Sequence, residues 1–320
     1  MRRSISLTII TLLLLTVGVS SCRKSLNTDD QGEYMPLRNN LNFLVVGDWG
    51  RDGEYHQFDV ATQMSLVASQ LKPDFIISTG DNFYPIGVSD IHDPQWNTSF
   101  ENIYRHRPLQ IEWYPVLGNH DYMDNPDAEI EYSAHSRRWR LPARYHTVVK
   151  DINGQASARF IFIDSSPFIK SYHRDYTRYS DLIEQDTSRQ LRWLDSVLVN
   201  SQEKWKFVIG HHMIYSYGGH HGNQKDMMEQ IKPRLIKHGV DVYFAGHEHD
   251  LQHLAAPEES SVQYVVSGGG SQLRPTVGGP ETIYGEMVNG FNAVSLSADS
   301  LKVLYVDKTG DIRHKFVIKK

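Results

Sequence analysis

Cysteine is almost absent from this 320-residue sequence, which contains only Cys22. A single cysteine excludes an internal disulfide and any zinc or iron–sulfur site built on several thiolates. The sequence also lacks a large excess of charge, because 33 Lys and Arg residues stand against 38 Asp and Glu residues and the formal net charge is −5. We therefore expect no nucleic-acid partner, since binding by charge alone requires a basic protein.

Long hydrophobic runs are missing except at the N-terminus. Residues 1–3 are basic, residues 5–19 are mostly apolar, and Val19-Ser20-Ser21-Cys22 follows. This order is typical of a secretory signal, and the last four residues resemble the lipobox of bacterial lipoproteins. We expect a signal peptide over residues 1–21, a lipid anchor to the membrane at Cys22 and export to the bacterial envelope, on its periplasmic or cell-surface side. The alternative is an ordinary secretory signal with an incidental Cys22.

Residues 22–39 are polar and lack periodicity, which predicts a flexible tether, and residues 40–320 are expected to form one domain. Short apolar runs within that domain predict buried strands: Leu41–Val46, Phe75–Ser78, Tyr114–Leu117, Phe160–Ile163, Phe207–Ile209 and Val242–Ala245. Between these strands, apolar residues recur at helical spacing in His56–Leu71, Ser188–Val199 and Met227–His238. Strand patterns follow in Gln263–Ser267 and Ala293–Asp307, with no helical pattern between them. The alternation predicts an α/β fold with an additional antiparallel portion of sheet.

Five of these predicted strands end in a glycine that is followed by a potential metal ligand. The segments are Gly47-Asp48-Trp49-Gly50, Gly80-Asp81-Asn82-Phe83-Tyr84, Gly118-Asn119-His120-Asp121, Gly210-His211-His212 and Gly246-His247-Glu248-His249. Open α/β sheets bind ligands at the carboxyl ends of their strands, and glycine permits a sharp turn there. One such turn is common for conformational reasons alone. Five in one chain predict a shared site.

Aspartate, asparagine, tyrosine and histidine supply oxygen and nitrogen donors without sulfur, a set suited to iron, manganese or zinc. Two metal ions about 3.5–4 Å apart form the usual clamp for phosphoryl transfer to water. The candidate ligands are Asp48, Asp81, Tyr84, Asn119, His211, His247 and His249. We therefore expect a two-metal hydrolytic centre.

The motif order GDWG, GDNFY, GNHD, GHH, GHEH resembles the calcineurin-like metallophosphoesterase superfamily, and within it the purple acid phosphatases of the small, tartrate-resistant type. Tyr84, three residues after Asp81, is the discriminating feature. Serine/threonine phosphatases tend to carry a GD-x-x-D-R-G pattern, which is absent from this sequence. The resemblance implies a β-sandwich of two mixed sheets flanked by α-helices and the activity of an acid phosphatase.

The same resemblance implies how the ligands are divided. Fe(III) would be held by Asp48, Asp81, Tyr84 and His249, and the tyrosinate would give the protein a purple colour. A divalent ion (iron, zinc or manganese) would be held by Asp81, Asn119, His211 and His247. Asp81 would bridge the two ions, and a metal-bound hydroxide would attack a small-molecule phosphate monoester.

Catalytic roles follow from the neighbours of these ligands. His120 resembles the family histidine that contacts phosphate and helps the leaving group, and Asp121 is expected to orient its imidazole. A second family histidine lies just beyond the GH ligand turn, and the sequence leaves both His220 and His221 open for it. His212 is expected to point away from the metals.

Other residues are assigned to packing or to loops. Trp49 and Phe83 are interpreted as packing beneath the metals, and Glu248 as a solvated acid or one that supports the ligands. Residues 164–181 are predicted to form a long surface loop. Two functional alternatives remain open: hydrolysis of phosphodiesters or nucleotides by the same centre, and a lipoprotein that binds metal or phosphate without turnover.

Overall fold

The computed structural model describes Pro36 and residues 40–320. The predicted signal peptide, Cys22 and nearly all of the predicted tether lie outside the described residues. The helices are α1 (Gln57–Leu71), α2 (Pro126–Tyr132), α3 (Thr187–Val199), α4 (Lys225–Gln230) and α5 (Lys232–Lys237). The strands are β1 (Leu41–Val46), β2 (Phe75–Ser78), β3 (Glu112–Pro115), β4 (His146–Ile152), β5 (Ala156–Phe162), β6 (Trp205–Ile209), β7 (Val242–Ala245), β8 (Leu251–Ala255), β9 (Gln263–Ser267), β10 (Thr282–Glu286), β11 (Gly290–Leu296), β12 (Ser300–Asp307) and β13 (Ile312–Lys319).

These strands form two mixed sheets. Sheet I has six strands in the order β13-β12-β11-β1-β2-β3, and sheet II has seven in the order β10-β8-β9-β7-β6-β5-β4. In sheet I, β1, β2 and β3 run parallel to one another, while the pairs β1–β11, β11–β12 and β12–β13 are antiparallel. In sheet II, β5, β6, β7 and β9 run parallel, and β4, β8 and β10 are antiparallel. The predicted α/β fold of two mixed sheets flanked by helices is confirmed.

The two sheets pack face to face through an aromatic core. Phe43 of β1 lies 5.3 Å from Phe160 and 5.8 Å from Phe207 of sheet II, measured between ring centroids. Successive residues of a strand point to opposite faces, so Leu44 and Val46 instead join the core beneath α1. Both faces of β1 are therefore buried, which explains why the sequence of this strand reads as an unbroken apolar run.

The helices cover the outer faces. Helix α1 buries Val60, Met64, Val67 and Leu71 against sheet I, and a separate apolar cluster under α3, α4 and α5 covers sheet II. Trp49 and Phe83 are fully buried in the first of these layers, as predicted. No helix among the described residues is both long and apolar enough to cross a bilayer.

Several predicted boundaries were wrong. The third strand is Glu112–Pro115 rather than Tyr114–Leu117. The helix predicted over Met227–His238 is divided into α4 and α5, and Pro233, which has no N–H to donate, lies in the first turn of the second helix. The strand pattern in Ala293–Asp307 is a hairpin of β11 and β12, closed by a hydrogen bond from the Ser297 N–H to the Ser300 carbonyl.

The prediction of a surface loop over residues 164–181 was wrong in part. Short 3₁₀ helices occupy Ser166–Phe168, Tyr172–Arg174 and Ser180–Leu182. Asp164, Phe168, Ile169 and Tyr179 are buried. This segment, which we call the covering loop, packs against the layer of helices and reaches the carboxyl ends of the strands.

Candidate metal centre

The predicted ligands follow the carboxyl ends of five parallel strands. Loops after β1, β2 and β3 of sheet I carry Asp48, Asp81, Tyr84 and Asn119, and loops after β6 and β7 of sheet II carry His211, His247 and His249. Because the two sheets pack face to face, these loops meet at one end of the sandwich. All seven side chains are buried there.

Three of the ligands have backbone conformations that L-residues rarely adopt. The φ angles are 59° at Asp48, 51° at Asp81 and 68° at His247. Left-handed conformations of non-glycine residues are uncommon and cluster at functional sites, where the surrounding structure holds them. The sharp turn predicted at these strand ends is therefore made in part by the ligand itself.

The preceding glycines contribute space as well as flexibility. A Cβ on Gly118 would overlap the backbone nitrogen and the carboxylate of Asp81, and a Cβ on Gly246 would overlap the carboxylate of Asp48. The ligand loops therefore pack directly on glycine backbone. Turn geometry alone does not explain why each motif begins with glycine, and this close approach supplies the additional reason.

Four donor atoms converge at the first site. The Tyr84 hydroxyl oxygen lies 3.1 Å from Asp48 Oδ1, 2.9 Å from Asp81 Oδ2 and 3.1 Å from His249 Nε2. Ligands at about 2.0–2.2 Å from a metal ion and at right angles to each other lie about 3 Å apart. The spacing of these four atoms therefore fits one ion, held by the set that the resemblance implies for Fe(III).

A second set of donors meets at His211. Its Nε2 lies 3.2 Å from Asn119 Oδ1, 3.1 Å from His247 Nδ1 and 3.4 Å from Asp81 Oδ1. Asp81 thus presents Oδ2 to the first set and Oδ1 to the second. This is the arrangement of a carboxylate that bridges two metal ions.

The ligand histidines are oriented by backbone carbonyls. His211 Nδ1 lies 2.9 Å from the Thr79 carbonyl, and His249 Nδ1 lies 2.8 Å from the Gln272 carbonyl. Donation from Nδ1–H leaves the Nε2 lone pair directed at the site. Burial lowers the pKa of His211, His247 and His249. A lower pKa favours the neutral imidazole, which is the form that coordinates a metal ion.

The acidic ligands also fit a cation. Burial and the nearby Asp81 raise the pKa of Asp48, and burial together with both carboxylates raises the pKa of Tyr84. Burial opposes ionisation of Asp81, but His211 and His120 overcome it and lower its pKa. Two carboxylates and a phenol buried together without a cation are costly. Metal ions would remove that cost, so the residues present fit a dinuclear centre.

His212 directly follows the proposed ligand His211 but belongs to neither proposed ligand set. It lies within reach of His211 and His247, but Nδ1 lies 2.9 Å from the Ser165 hydroxyl and Nε2 lies 3.0 Å from the Tyr172 hydroxyl. Both ring nitrogens therefore have partners in the covering loop. The geometry supports a positioning role for His212.

The expected contact between Asp121 and the His120 imidazole is not what the structure shows. The buried carboxylate of Asp121 accepts the backbone N–H groups of Gly118, Asn82 and Phe83 at 2.7–3.1 Å. It therefore ties two ligand loops together, and burial and Asp81 raise its pKa to about 7. The His120 imidazole is oriented by the Pro85 carbonyl instead, with Nδ1 at 2.5 Å.

The two candidates for the second catalytic histidine differ in position. His221 lines the cavity above the ligands, and its ring stacks on that of His247 at 3.8 Å. His220 is exposed and does not line that cavity. Glu248 was expected to be solvated or to support the ligands. It is buried, and its Oε2 accepts the His221 N–H at 2.9 Å, so it shapes the loop that carries His221.

A cavity of about 220 Å³ lies over both donor sets. Besides predicted residues, it is lined by Met123, Tyr172, Arg178, Tyr179 and Arg274. None of these five was predicted. None of them belongs to the five motifs that carry the candidate ligands.

Comparison with known proteins agrees with this geometry. The sequence model of the calcineurin-like phosphoesterase family matches residues 41–251, which contain all seven predicted ligands. The chain therefore belongs to the calcineurin-like phosphoesterases. It is a hydrolase of phosphoric esters with a dinuclear metal centre.

Relatives narrow the class to the purple acid phosphatases. The chain is 36% identical over 292 residues to purple acid phosphatase 17 of Arabidopsis thaliana, covering 88% of this chain and 85% of the relative. It is 31% identical over 289 residues to human tartrate-resistant acid phosphatase type 5, covering 84% and 88%. Within its family, this chain is thus a purple acid phosphatase.

Solved structures confirm the fold. GAP50, described as the anchor in the inner membrane complex of Plasmodium, superposes with a TM-score of 0.76 at 21% identity, covering 88% of this chain and 89% of that one. Purple acid phosphatase PPD1 from yellow lupin seeds superposes with a TM-score of 0.65 at 15% identity, covering 88% and 54%.

Proposed function

We propose that this protein hydrolyses small phosphate monoesters, with Fe(III) in the first donor set and a divalent iron, zinc or manganese ion in the second. The observation that carries the proposal is the position of Asp81, whose two carboxylate oxygens face the two sets. When bound, the two ions would polarise the phosphoryl group and generate a nucleophile from water at moderate pH.

The residues around the ions position the substrate. His120 donates from Nδ1 to the Pro85 carbonyl, which leaves Nε2, 4.0 Å from Asp81 Oδ2, available to contact a substrate oxygen. We assign to His120, in its doubly protonated form, the transfer of the Nε2 proton to the leaving oxygen; the neutral imidazole that remains keeps its Nδ1–H on the Pro85 carbonyl. His221 stacks on His247 at the cavity wall and completes the enclosure of the substrate.

The size of the cavity favours small monoesters over the phosphodiester or nucleotide alternatives. Its volume of about 220 Å³ is below the roughly 300–1,000 Å³ of pockets that enclose drug-sized ligands. We expect kcat/KM for 4-nitrophenyl phosphate to exceed that for bis(4-nitrophenyl) phosphate, which releases the same leaving group. The reverse preference would favour the phosphodiesterase alternative.

The central test is Asp81→Asn, which weakens the bridge while nearly preserving shape. We expect loss of bound metal and a fall in kcat beyond the roughly 10²–10³-fold effect of one lost transition-state donor, since both sites lose a charged ligand. Asp59→Asn, at a carboxylate that is 56% exposed, is the control. Full turnover by Asp81→Asn would contradict the mechanism, and metal-loaded wild-type protein without turnover would favour a binding function.

The metal in the first set is tested by colour. A phenolate of Tyr84 bound to Fe(III) should give a visible absorption band, and Tyr84→Phe should remove that band. Tyr104→Phe, at a buried tyrosine outside the ligand sets, is the matched control. Colourless wild-type protein containing only zinc or manganese would contradict the assignment of Fe(III).

We also propose that the protein is exported and anchored through a lipid at Cys22. The support is the sequence of residues 1–22 alone. Mass spectrometry of the membrane-associated protein should find a lipidated cysteine at the mature N-terminus, and Cys22→Ser should release the protein from the membrane fraction. A mature N-terminus other than Cys22 would favour the ordinary secretory signal.

A further inference from the structure

Two arginines line the cavity together with the metal ligands. Arg274 follows the Gly268–Gly270 turn, and Arg178 belongs to the covering loop. Neither belongs to a donor set. Their positions relative to the second donor set indicate what the cavity accepts in addition to a phosphoryl group.

Arg274 is connected to His247 through His221. Its backbone N–H donates to the His249 carbonyl at 2.9 Å, which holds the start of this segment against a ligand loop. Its Nη1 lies 2.5 Å from His221 Nε2, and His221 stacks on His247. Since arginine has five N–H donors and no acceptor, His221 Nε2 must accept this hydrogen bond. The partner of Arg274 is therefore an imidazole rather than a carboxylate.

Arg178 is connected to Asn119 through Tyr179. Asn119, Arg178 and Tyr179 line the cavity together. The Asn119 and Arg178 side chains lie close enough to Tyr179 to oppose the rise in its pKa that burial causes. Arg178 also lies 3.9 Å from Asp175, and its side chain is 59% exposed, so it stands at the mouth of the cavity. The two arginines are thus linked to two different ligands of the same metal site.

This placement supplies two cationic groups beyond the metal ions. In the proposed function, the ions bind the phosphoryl group that is transferred. Guanidinium groups match the geometry of a carboxylate or phosphate and bind it through paired N–H donors. The mouth of the cavity is therefore suited to a second anionic group.

We propose that the preferred substrates are phosphate monoesters whose leaving group carries a second anion, a carboxylate or a phosphate, bound by Arg178 and Arg274. This inference rests on the proposed function for its reaction. It goes beyond that function by naming the class of leaving group.

The kinetic test compares matched substrates with the metal-loaded enzyme. Phenyl phosphates bearing a carboxylate at the 3- or 4-position are compared with their uncharged carbamoyl counterparts. We expect at least one carboxylate isomer to have a kcat/KM about tenfold higher, equivalent to about 1.4 kcal/mol. Arg178→Gln and Arg274→Gln should each reduce this ratio toward one. Arg174→Gln, at an exposed arginine of the same loop that does not line the cavity, should preserve it.

A binding measurement separates this inference from the proposed function. Calorimetry with the non-hydrolysable 3- and 4-carboxyphenylphosphonates and their carbamoyl counterparts should show the same preference and the same losses in the two variants. If phenyl phosphate is not hydrolysed, the proposed function fails, but the calorimetric preference still supports the anion site. Equal kcat/KM and equal Kd for carboxylate and carbamoyl ligands would overturn the inference.

Discussion

Gly118→Ala tests whether close packing of glycine under the ligands is needed for activity. A methyl group at this position would meet the backbone and carboxylate of Asp81, with Asp81 Cγ at 2.9 Å. Cβ atoms in real proteins essentially never approach other atoms within 3.0 Å. The carboxylate that faces both metal sites must therefore shift by several tenths of an ångström.

The expected magnitudes follow from that displacement. Overpacking of this kind costs about 1–3 kcal/mol of folding free energy, which corresponds to a fall in Tm of roughly 2–12 °C at about 2–4 °C per kcal/mol. A misplacement of about 1 Å at a reacting centre can cost about 10²-fold in rate. We therefore expect kcat/KM for phenyl phosphate to fall by about 10-fold to 10²-fold, with reduced metal content by mass spectrometry.

Gly239→Ala is the matched control. Gly239 has a φ of 60°, and a methyl group added there would have no neighbouring atom within 4 Å. The substitution therefore costs about 1–2 kcal/mol of backbone strain without touching the site. Both variants should lose comparable thermal stability, whereas only Gly118→Ala should lose activity and metal. If Gly118→Ala kept the kcat/KM and metal content of the wild-type protein, close packing of Gly118 under Asp81 would not be needed for activity.

Two further predictions concern stability. Arg138→Met should lower the free energy of unfolding by about 1.5–3 kcal/mol, because the buried guanidinium donates to the partly exposed Glu101 and to the Tyr104 carbonyl. Urea denaturation measures the loss, exposed Arg137→Met is the control, and an equal effect of both would contradict the prediction. Burial lowers the pKa of His253 to about 4, so the unfolded chain binds a proton first and stability is lost as pH falls from 6.5 toward 4. In His253→Gln, the urea midpoint should therefore fall less between pH 7 and pH 4.5 than it does in the wild-type protein. An equal fall in both proteins would count against this prediction.

Much of the fold and site was predictable because the signals are local. Strands β1, β2, β7 and β9 were predicted with their observed bounds, since continuous apolar runs mark strands buried on both faces. The seven candidate ligands could be proposed because each follows such a strand and a glycine within a few residues, and the structure brings them together. Where the local signal was weaker, the prediction was incomplete: β4, β8, β10 and β13 were not predicted, and α4 and α5 were joined into one helix.

Residues that reach the cavity from outside these motifs could not be found in this way. Arg274 and His221 are separated by 53 residues, and Arg178 belongs to a segment whose irregular 3₁₀ turns have no periodic pattern. Asp121 shows that side chains adjacent in sequence need not be in contact. Its position beside His120 in sequence suggested a contact, but its carboxylate turns inward to three backbone N–H groups of the ligand loops.

The sequence alone was sufficient to predict the class of fold, a candidate set of metal ligands and a two-metal phosphatase, because strand, turn and donor atom lie within a few consecutive residues. Only the folded structure shows that His221 rather than His220 faces the cavity, that Asp121 ties two loops together, and that Arg178 and Arg274 line the cavity. Those outcomes depend on how distant loops pack across the end of the two sheets. Packing of that kind leaves no periodicity or spacing in the chain.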